Sequence, residues 1–261
     1  MRCTLVSWNL NSIRARQDRL LNWLDNHQPD VLCLQELKCP DDKFPTQALL
    51  DRGYHAAVFG QPTYNGVAII AKCELSDVVR GMTDDADDPQ ARLIGATVNG
   101  VRVYSAYVPN GGEVGIERYH YKLRWLERLR SYLDKHGETS APIAVCGDFN
   151  VAPEDNDVAR IEQWKDSVLC HDTVRAAYRK VCDWGLHDTF RKHHSEGGLY
   201  SWWDYRQLAF PMNNGLRIDL ILANQVLFER CTATSIDRDE RKGKSPSDHV
   251  PVMAEFDLDG L

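Results

Sequence analysis

The sequence predicts an α/β protein in which mixed β-sheets carry helices on their outer faces. Three observations point there: short apolar runs of strand length recur along the chain, helical apolar periodicity falls between some of them, and one two-residue Asn-Gly connection joins two of the runs.

In order, the first run is Thr4–Trp8, which delivers Asn9 at its end; Leu20, Leu21 and Leu24 then mark a short helix that stops before Pro29. Val31–Gln35 follows as an apolar run leading into Glu36, and His55–Phe59 and Val67–Ala71 have similar length and character. Leu93–Val98 and Val101–Tyr107 flank Asn99-Gly100, a pair suited to the positive backbone angles of a tight hairpin turn, so these strands are antiparallel neighbours. Tyr119, Leu123, Leu126, Leu129 and Leu133 recur at three- and four-residue spacing and give a helix with one apolar stripe. Ile143–Cys146 runs into Asp148, Val174–Trp184 reads as a helix closed by Gly185, and Leu220–Leu222 and Val252–Phe256 complete the strands. No stretch has linker composition and no repeat of fixed period occurs, so residues 1–261 read as one domain.

Composition bounds the class. With 43% hydrophobic residues the chain can bury a substantial core, while 26% charged residues, a mean hydropathy of −0.45 and no apolar run of membrane-spanning length predict a soluble protein with no membrane partner. There is no signal-peptide pattern, and the eight cysteines include no CxxC and fall partly inside apolar runs, which reads as reduced thiols in a cytoplasmic protein. A net charge of −7 argues against a surface that binds nucleic acid everywhere, but leaves room for a local basic face. Candidates for one are Arg14, Arg16 and Arg19, then Arg206 and Arg217 near an aromatic cluster, and Arg241-Lys242-Gly-Lys244. The acidic run Asp84-Asp85-Ala-Asp87-Asp88-Pro89 lacks the glycine and terminal glutamate of a calcium loop and reads as a solvated turn.

Chemistry concentrates where strands end. The run Ala144-Val-Cys-Gly147 stops on Asp148-Phe149-Asn150, an acid and an amide two residues apart that share a face if the strand persists. Glu36 at another strand tip suits a hard cation such as Mg²⁺, and Asn9 could complete its shell or bridge to Glu36; alone it would be a turn residue. Asp219 sits between apolar neighbours and needs a partner, for which His249 in Ser247-Asp248-His249 is the best candidate among nine histidines. The pairs His171-Asp172 and His187-Asp188 lack a distal ligand set and read as surface or capping residues. Tyr107 ends a strand with its hydroxyl free to project past the sheet edge. Trp202-Trp203-Asp204-Tyr205-Arg206 could wall a pocket or press into a DNA groove. Asn9, Glu36, Asp148 and Asp248-His249 are thus expected to converge on one rim.

Taken together, Ser7-Trp-Asn9-Leu-Asn11, Leu34-Gln-Glu36, Tyr64-Asn-Gly66-Val-Ala-Ile69, Tyr107-Val-Pro-Asn110, Gly147-Asp148-Phe-Asn150-Val-Ala152, Leu216-Arg-Ile-Asp219 and Ser247-Asp248-His249 resemble, in order and spacing, the exonuclease III family of AP endonucleases. The resemblance spans nearly the whole chain. It implies a DNase I-like four-layer sandwich of two packed mixed β-sheets flanked by helices. It also implies hydrolysis of the phosphodiester 5′ to abasic sites in duplex DNA and cleaning or trimming of 3′ ends, with Mg²⁺ or Mn²⁺, by a protein that need be no more than a monomer.

By the same resemblance Glu36, Asn9 and Asp248 form the metal centre. Asp148 is the base or water orienter, Asn150 holds water and phosphate, and His249, polarised by Asp219, hydrogen-bonds a phosphate oxygen or acts as the base. Tyr107 assists at the phosphate or leaving oxygen. Arg14 with Ala15, and Tyr64 with Gly66, resemble loops that grip the DNA backbone, and Asn110 touches the phosphate near the scissile bond. Trp202, Leu216 and Ile218 resemble the small pocket for a flipped abasic sugar, with Tyr205 and Arg206 on a groove-inserting loop. Other DNase I-like phosphoesterases, of the phosphoinositide phosphatase or sphingomyelinase type, share the acidic, amide and histidine elements; the Trp202–Arg206 block and Leu216-Arg-Ile-Asp219 favour DNA. A DNA-binding homologue without catalysis is disfavoured by the complete set of acid, amide and histidine residues.

Overall fold

In the computed structural model, which describes residues 1–84 and 86–260, the strands in chain order are β1 (Arg2–Asn9), β2 (Val31–Gln35), β3 (His55–Phe59), β4 (Val67–Ala71), β5 (Ser76–Arg80), β6 (Leu93–Val98), β7 (Val101–Tyr107), β8 (Ile143–Asp148), β9 (Leu186–Asp188), β10 (Asp219–Asn224), β11 (Cys231–Ile236) and β12 (Val252–Asp257). The helices are α1 (Ile13–His27), α2 (Thr46–Leu50), α3 (Glu117–His136), α4 (Ile161–Trp164), α5 (Asp172–Cys182), α6 (Thr189–His193) and α7 (Gln225–Phe228). Asp85, within the acidic run read as a turn, lies outside the described residues; Asp84 and Asp88 of that run both pair with Arg128 of α3.

Two six-stranded sheets form, one ordered β11-β12-β1-β2-β4-β3 and the other β5-β6-β7-β8-β10-β9. Each has a parallel pair at its centre, β1 with β2 and β7 with β8, and antiparallel neighbours elsewhere. The period of two sorts side chains between layers. From β8, Ala144 and Cys146 enter the core between the sheets with Cys33, Ile69 and Ala254, while Ile143 and Val145 pack under α3 and α5. From β2, Val31 and Cys33 face the inner core, and Leu32 and Leu34 face α1 with Leu20, Trp23 and Leu24. Central strands are therefore covered on both faces, which is why they read as unbroken apolar runs. The result is the four-layer α/β sandwich, helices outside and two mixed sheets within.

The hairpin expectation holds, with Val98 opposite Val101 across Asn99-Gly100. Strands β5, β9 and β11 have no counterpart in the sequence reading: β5 and β11 lie at sheet edges with mostly exposed or half-exposed side chains, and β9 is three residues long, so none presents a buried apolar run. Helix α1 also begins earlier than its leucines suggest, at a turn where the Ser12 hydroxyl accepts from the Ala15 N–H.

Two features aim the parallel pairs at one rim. Beneath it the sheets are stitched by buried polar groups, the Gln35 amide donating to Ser105 Oγ at 3.1 Å and Ser105 Oγ to the Leu34 carbonyl at 3.0 Å. Near the end of β8, a side chain on Gly147 would put its Cβ 1.8 Å from the Ala106 carbonyl oxygen, so only glycine lets the strand close on β7 before delivering Asp148.

Candidate active site

The strand ends do converge. Asn9 leaves β1 beside the end of β2, Tyr107 sits opposite Asp148 across the β7–β8 pair, and Asp219 opposite Asp148 across β8–β10. The loop before β12 brings His249 in from the other sheet. Glu36, Asp148 and His249 offer ligand atoms that all lie within 4.8 Å of one another.

Asn9 bridges the acids. Its carbonyl oxygen accepts from the Asn11 N–H at 2.9 Å, which turns its amide nitrogen inward to donate to Glu36 Oε1 and Asp148 Oδ2, each at 2.9 Å. Of the two parts the sequence offered Asn9, the bridge to Glu36 is formed by its nitrogen, while its oxygen accepts one bond and keeps a second lone pair. Glu36 stands at φ +51, a left-handed conformation unusual for a long side chain, as does Asn150 at φ +49. Such strain at a cluster of charges marks a site whose geometry the rest of the fold imposes.

Asn150 meets Asp148 by a turn, not by strand periodicity. The strand ends at Asp148; the Asn150 N–H then donates to Asp148 Oδ1 at 2.9 Å and its side-chain amide to Oδ2 at 3.1 Å. Asn110 in turn donates its amide to Asn150 Oδ1 at 2.9 Å.

On the far side of Asp148 stands the histidine pair. His249 Nδ1 donates to Asp219 Oδ2 at 2.9 Å, which leaves Nε2 facing Asp148 Oδ2 at 3.7 Å. Ser201 holds Asp219 by donating to Oδ2 at 2.6 Å while accepting the backbone N–H groups of Ile218 and Asp219.

These contacts tune the acids apart. Burial drives the Asp148 carboxyl up to about 7; His249 opposes this, and the nearby charges of Asp219 and Glu36 add to it. Burial would lower His249, but the Asp219 and Asp148 carboxylates outweigh it and raise the imidazole to about 10. For Glu36, burial pushes upward, yet the Lys38 ammonium 2.8 Å away, the Asn9 amide and His249 hold it below its ordinary value. Burial and the Glu36 and Asp148 charges push the Tyr107 phenol well above its ordinary value, so it stays a hydrogen-bond donor. Asp248 is lowered despite burial, by His249 and by donors from Asn11 at 2.9 Å and the Trp202 indole at 3.0 Å. Its carboxylate accepts those two bonds, one on each oxygen, and stands outside the Glu36–Asp148–His249 cluster.

A cleft of about 580 Å³ opens beside the cluster, lined by Glu36, Lys38, Tyr64, Arg92, Tyr107 and Asn110. Tyr64 is two-thirds exposed at its mouth, next to Gly66, whose N–H donates to the Ala91 carbonyl. Arg14 is exposed at the start of α1, and Tyr205 is exposed, donating to the Pro246 carbonyl and receiving Arg16. Arg206 points into solvent and pairs with Asp204 at 2.8 Å. Trp202 is half-buried, whereas Leu216 and Ile218 are wholly buried and form the packed backing behind it, not an open surface.

Three basic candidates are corrected. Arg217 is fully buried, paired with Asp157 at 2.6 Å and Asp188 at 2.7 Å, because it points into the core beneath the pocket. Arg241 is buried against Tyr205 and Phe210. Arg19 pairs with Glu240 at 2.6 Å and donates to the carbonyls of Lys242 and Lys244. Asp188 and His171 cap α6 and α5, as expected of non-catalytic pairs.

Lys38, Asn11, Arg92 and Ser201 were not assigned roles from sequence. Lys38 donates to Asn11 Oδ1 at 2.6 Å as well as pairing with Glu36, and the Arg92 guanidinium lies 4.7 Å over the Tyr107 ring. Asn11 closes the first recognised motif and Lys38 lies two residues beyond the second; nothing local marks Arg92.

Residues 6–249 match the Endonuclease/Exonuclease/phosphatase family. Exodeoxyribonuclease III of Haemophilus influenzae is 37% identical, the alignment covering 96% of this chain and 98% of the relative. Among solved structures, an AP endonuclease from Archaeoglobus fulgidus superposes with a TM-score of 0.95 at 40% identity, covering 98% of this chain and all of that one. A Neisseria 3′ phosphatase solved with a product DNA hairpin gives 0.95 at 39% identity over 98% of this chain and 100% of its own. The chain belongs to the endonuclease/exonuclease/phosphatase family of hydrolases, within its exonuclease III group of AP endonucleases.

Proposed function

We propose that this chain is a divalent-metal-dependent DNA repair nuclease that hydrolyses the phosphodiester 5′ to abasic sites in duplex DNA and removes nucleotides or blocking groups from 3′ ends. The observation that carries this reading is the rim itself: Glu36, Asp148 and an Asp219-paired histidine with ligand atoms within 4.8 Å of one another, and paired amides beside an open cleft. The fold and sequence likeness to an AP endonuclease and a DNA-bound 3′ phosphatase support DNA as the substrate.

Hydrolysis needs an oriented water, positive charge or donors at the phosphate oxygens and help for the departing 3′-oxygen. Asp148 is assigned the water, with Asn150 and Asn110 holding water and phosphate. His249, kept protonated by Asp219, donates from Nε2 to a phosphate oxygen. Tyr107, still carrying its proton, is placed to donate to the phosphate or leaving oxygen. Glu36, held ionised among hard oxygen donors, is the main residue to hold Mg²⁺, or Mn²⁺ as substitute, with Asn9 bonded to it and able to offer its oxygen, and Asp248 a more distant contributor through Asn11. When bound, the ion would supply charge stabilisation at the phosphate.

Arg14 and Tyr64 grip the DNA backbone, Trp202 faces the flipped sugar with Leu216 and Ile218 behind it, and Tyr205 and Arg206 reach the groove. One catalytic domain acting as a monomer suffices for this. All eight thiols are free, which supports a reducing, cytoplasmic setting, and among the described residues no helix is long and apolar enough to cross a membrane.

A gel comparison of nicking at an abasic site with digestion of a recessed 3′ end, with and without EDTA, tests the reading. Metal-dependent cleavage of both is expected. Binding of abasic duplex without nicking, or hydrolysis of phospholipid headgroups alone, would overturn it.

A further inference from the structure

We propose that Lys122 is a positioning residue for this reaction: its ammonium clamps the backbone of Asn110 and Asn150 and so fixes the amide pair that orients Asp148. The proposal rests on the nuclease reading above.

Lys122 lies on α3 among Tyr119, Trp125 and Leu126, on the face the helix turns to the core, and none of its surface is exposed. Its Nζ donates to three backbone carbonyls: Asn110 at 3.1 Å, Asn150 at 2.5 Å and Val168 at 2.9 Å. Three ammonium hydrogens meet three acceptors from three separate segments, the loop after β7, the turn after β8 and the turn before α5. No carboxylate pairs with it among the described residues. Burial works against the charge and the nearby Asp148 carboxylate for it, and three carbonyls around Nζ with no donor to it call for the ammonium; a methionine would fill the same space without that cost, so the amine is there for what it holds.

What it holds is the support of Asp148. Asn110 donates to Asn150 Oδ1, Asn150 donates to both oxygens of Asp148, and its side chain also donates to the Val108 carbonyl at 3.0 Å. Asn150 does this from a left-handed backbone, which persists only where its surroundings fix it. The bond from Lys122 to its carbonyl is one such restraint, and the bond to Asn110 sets the second amide in register with the first. Lys122 touches neither water nor phosphate; it acts through these amides.

The test compares Lys122→Met with Leu126→Ala, a core truncation on the same helix that touches none of the three carbonyls. Both are expected to lower the unfolding temperature. On abasic duplex well below that temperature, Lys122→Met is expected to lower kcat by about 30-fold with KM within about threefold, whereas Leu126→Ala leaves kcat within about twofold. In an Asn150→Ala background, which removes the side-chain amide through which the clamp reaches Asp148, Lys122→Met is expected to cost only a further ~3-fold in single-turnover nicking. A kcat for folded Lys122→Met within about threefold of wild type, or the full loss repeated in the Asn150→Ala background, would overturn the proposal. Should Lys122→Met not fold, Lys122→Gln carries the same comparison. If wild type nicks no abasic duplex, the nuclease reading fails, and hydrogen exchange at the Asn150 amide decides the clamp. Faster exchange in Lys122→Met than in Leu126→Ala supports it, and equal exchange rejects it.

Discussion

His249 sits between Asp219 and Asp148, and those two carboxylates decide when it gives up its proton. Their field raises it to about 10, so it remains a donor through neutral pH and loses that capacity only as pH climbs through that value. Asp148 has the opposite requirement: raised by burial to about 7, it can fill its proposed water-orienting role only once ionised, so the rate is expected to rise as pH increases through that point. An initial-rate pH profile is therefore expected to have an acid limb near neutrality and an alkaline limb near 10. Asp219→Asn removes the largest support of the imidazolium and moves the alkaline limb downward; an unmoved limb would break the assignment of that limb to His249. Asp148→Asn and His249→Ala are each expected to lower nicking by at least about 100-fold while duplex binding stays within a few-fold, checked by single-turnover assays beside a binding titration. Four of these residues, Asp148, Asn150, Asp219 and His249, were legible because each polar group interrupts or ends an apolar run. Lys38 and Ser201 were not, since their importance lies in partners that the fold supplies.

At the scale of elements, the two central parallel pairs do equivalent jobs. The end of β1–β2 presents Asn9 and Glu36, and the end of β7–β8 presents Tyr107 and Asp148. Beneath the pocket, Arg217 joins the segment leading into β10 to Asp157 and to Asp188 at the end of β9, with Arg191 also on Asp157. A buried charge left unpaired is far costlier than an exposed one. Arg217→Met is expected to lower stability by about 3–5 kcal/mol by leaving Asp188 and part of Asp157 unsatisfied. Thermal unfolding measures this, and a shift within about a degree would show that the network is not needed for stability. The sequence reading placed Arg217 with the basic surface because an arginine beside tryptophans gives no sign of its direction. Edge strands β5 and β11 were missed for a related reason: their neighbours, not their own pattern, make them strands.

For the whole molecule, a net charge of −7 repels a polyanion, so DNA must be met by local cations. Burial and ion pairing of Arg217, Arg241 and Arg19 leave fewer free cations than the sequence offers. Each phosphate neutralised on duplex DNA contributes a slope of about −0.9 to the dependence of log K on log salt. Arg14→Ala is expected to reduce that slope by about one, while Arg217→Met, measured on folded protein, leaves it unchanged. A binding series at several salt concentrations checks both, and an unchanged slope in Arg14→Ala would remove it from the phosphate contacts.

The sequence by itself determined mixed sheets with helices outside, because apolar runs of strand length need cover, and it put acids and amides at strand ends; the two packed sheets came from the resemblance to the exonuclease III family. The tertiary structure alone decided which atoms face which. Asn9 turns its nitrogen inward because Asn11 takes its oxygen, Asn150 reaches Asp148 through a left-handed turn, and Asp248 is committed to Trp202 and Asn11. Hydrogen bonds between residues far apart in the chain carry no periodic signal; they exist only once the two sheets have closed.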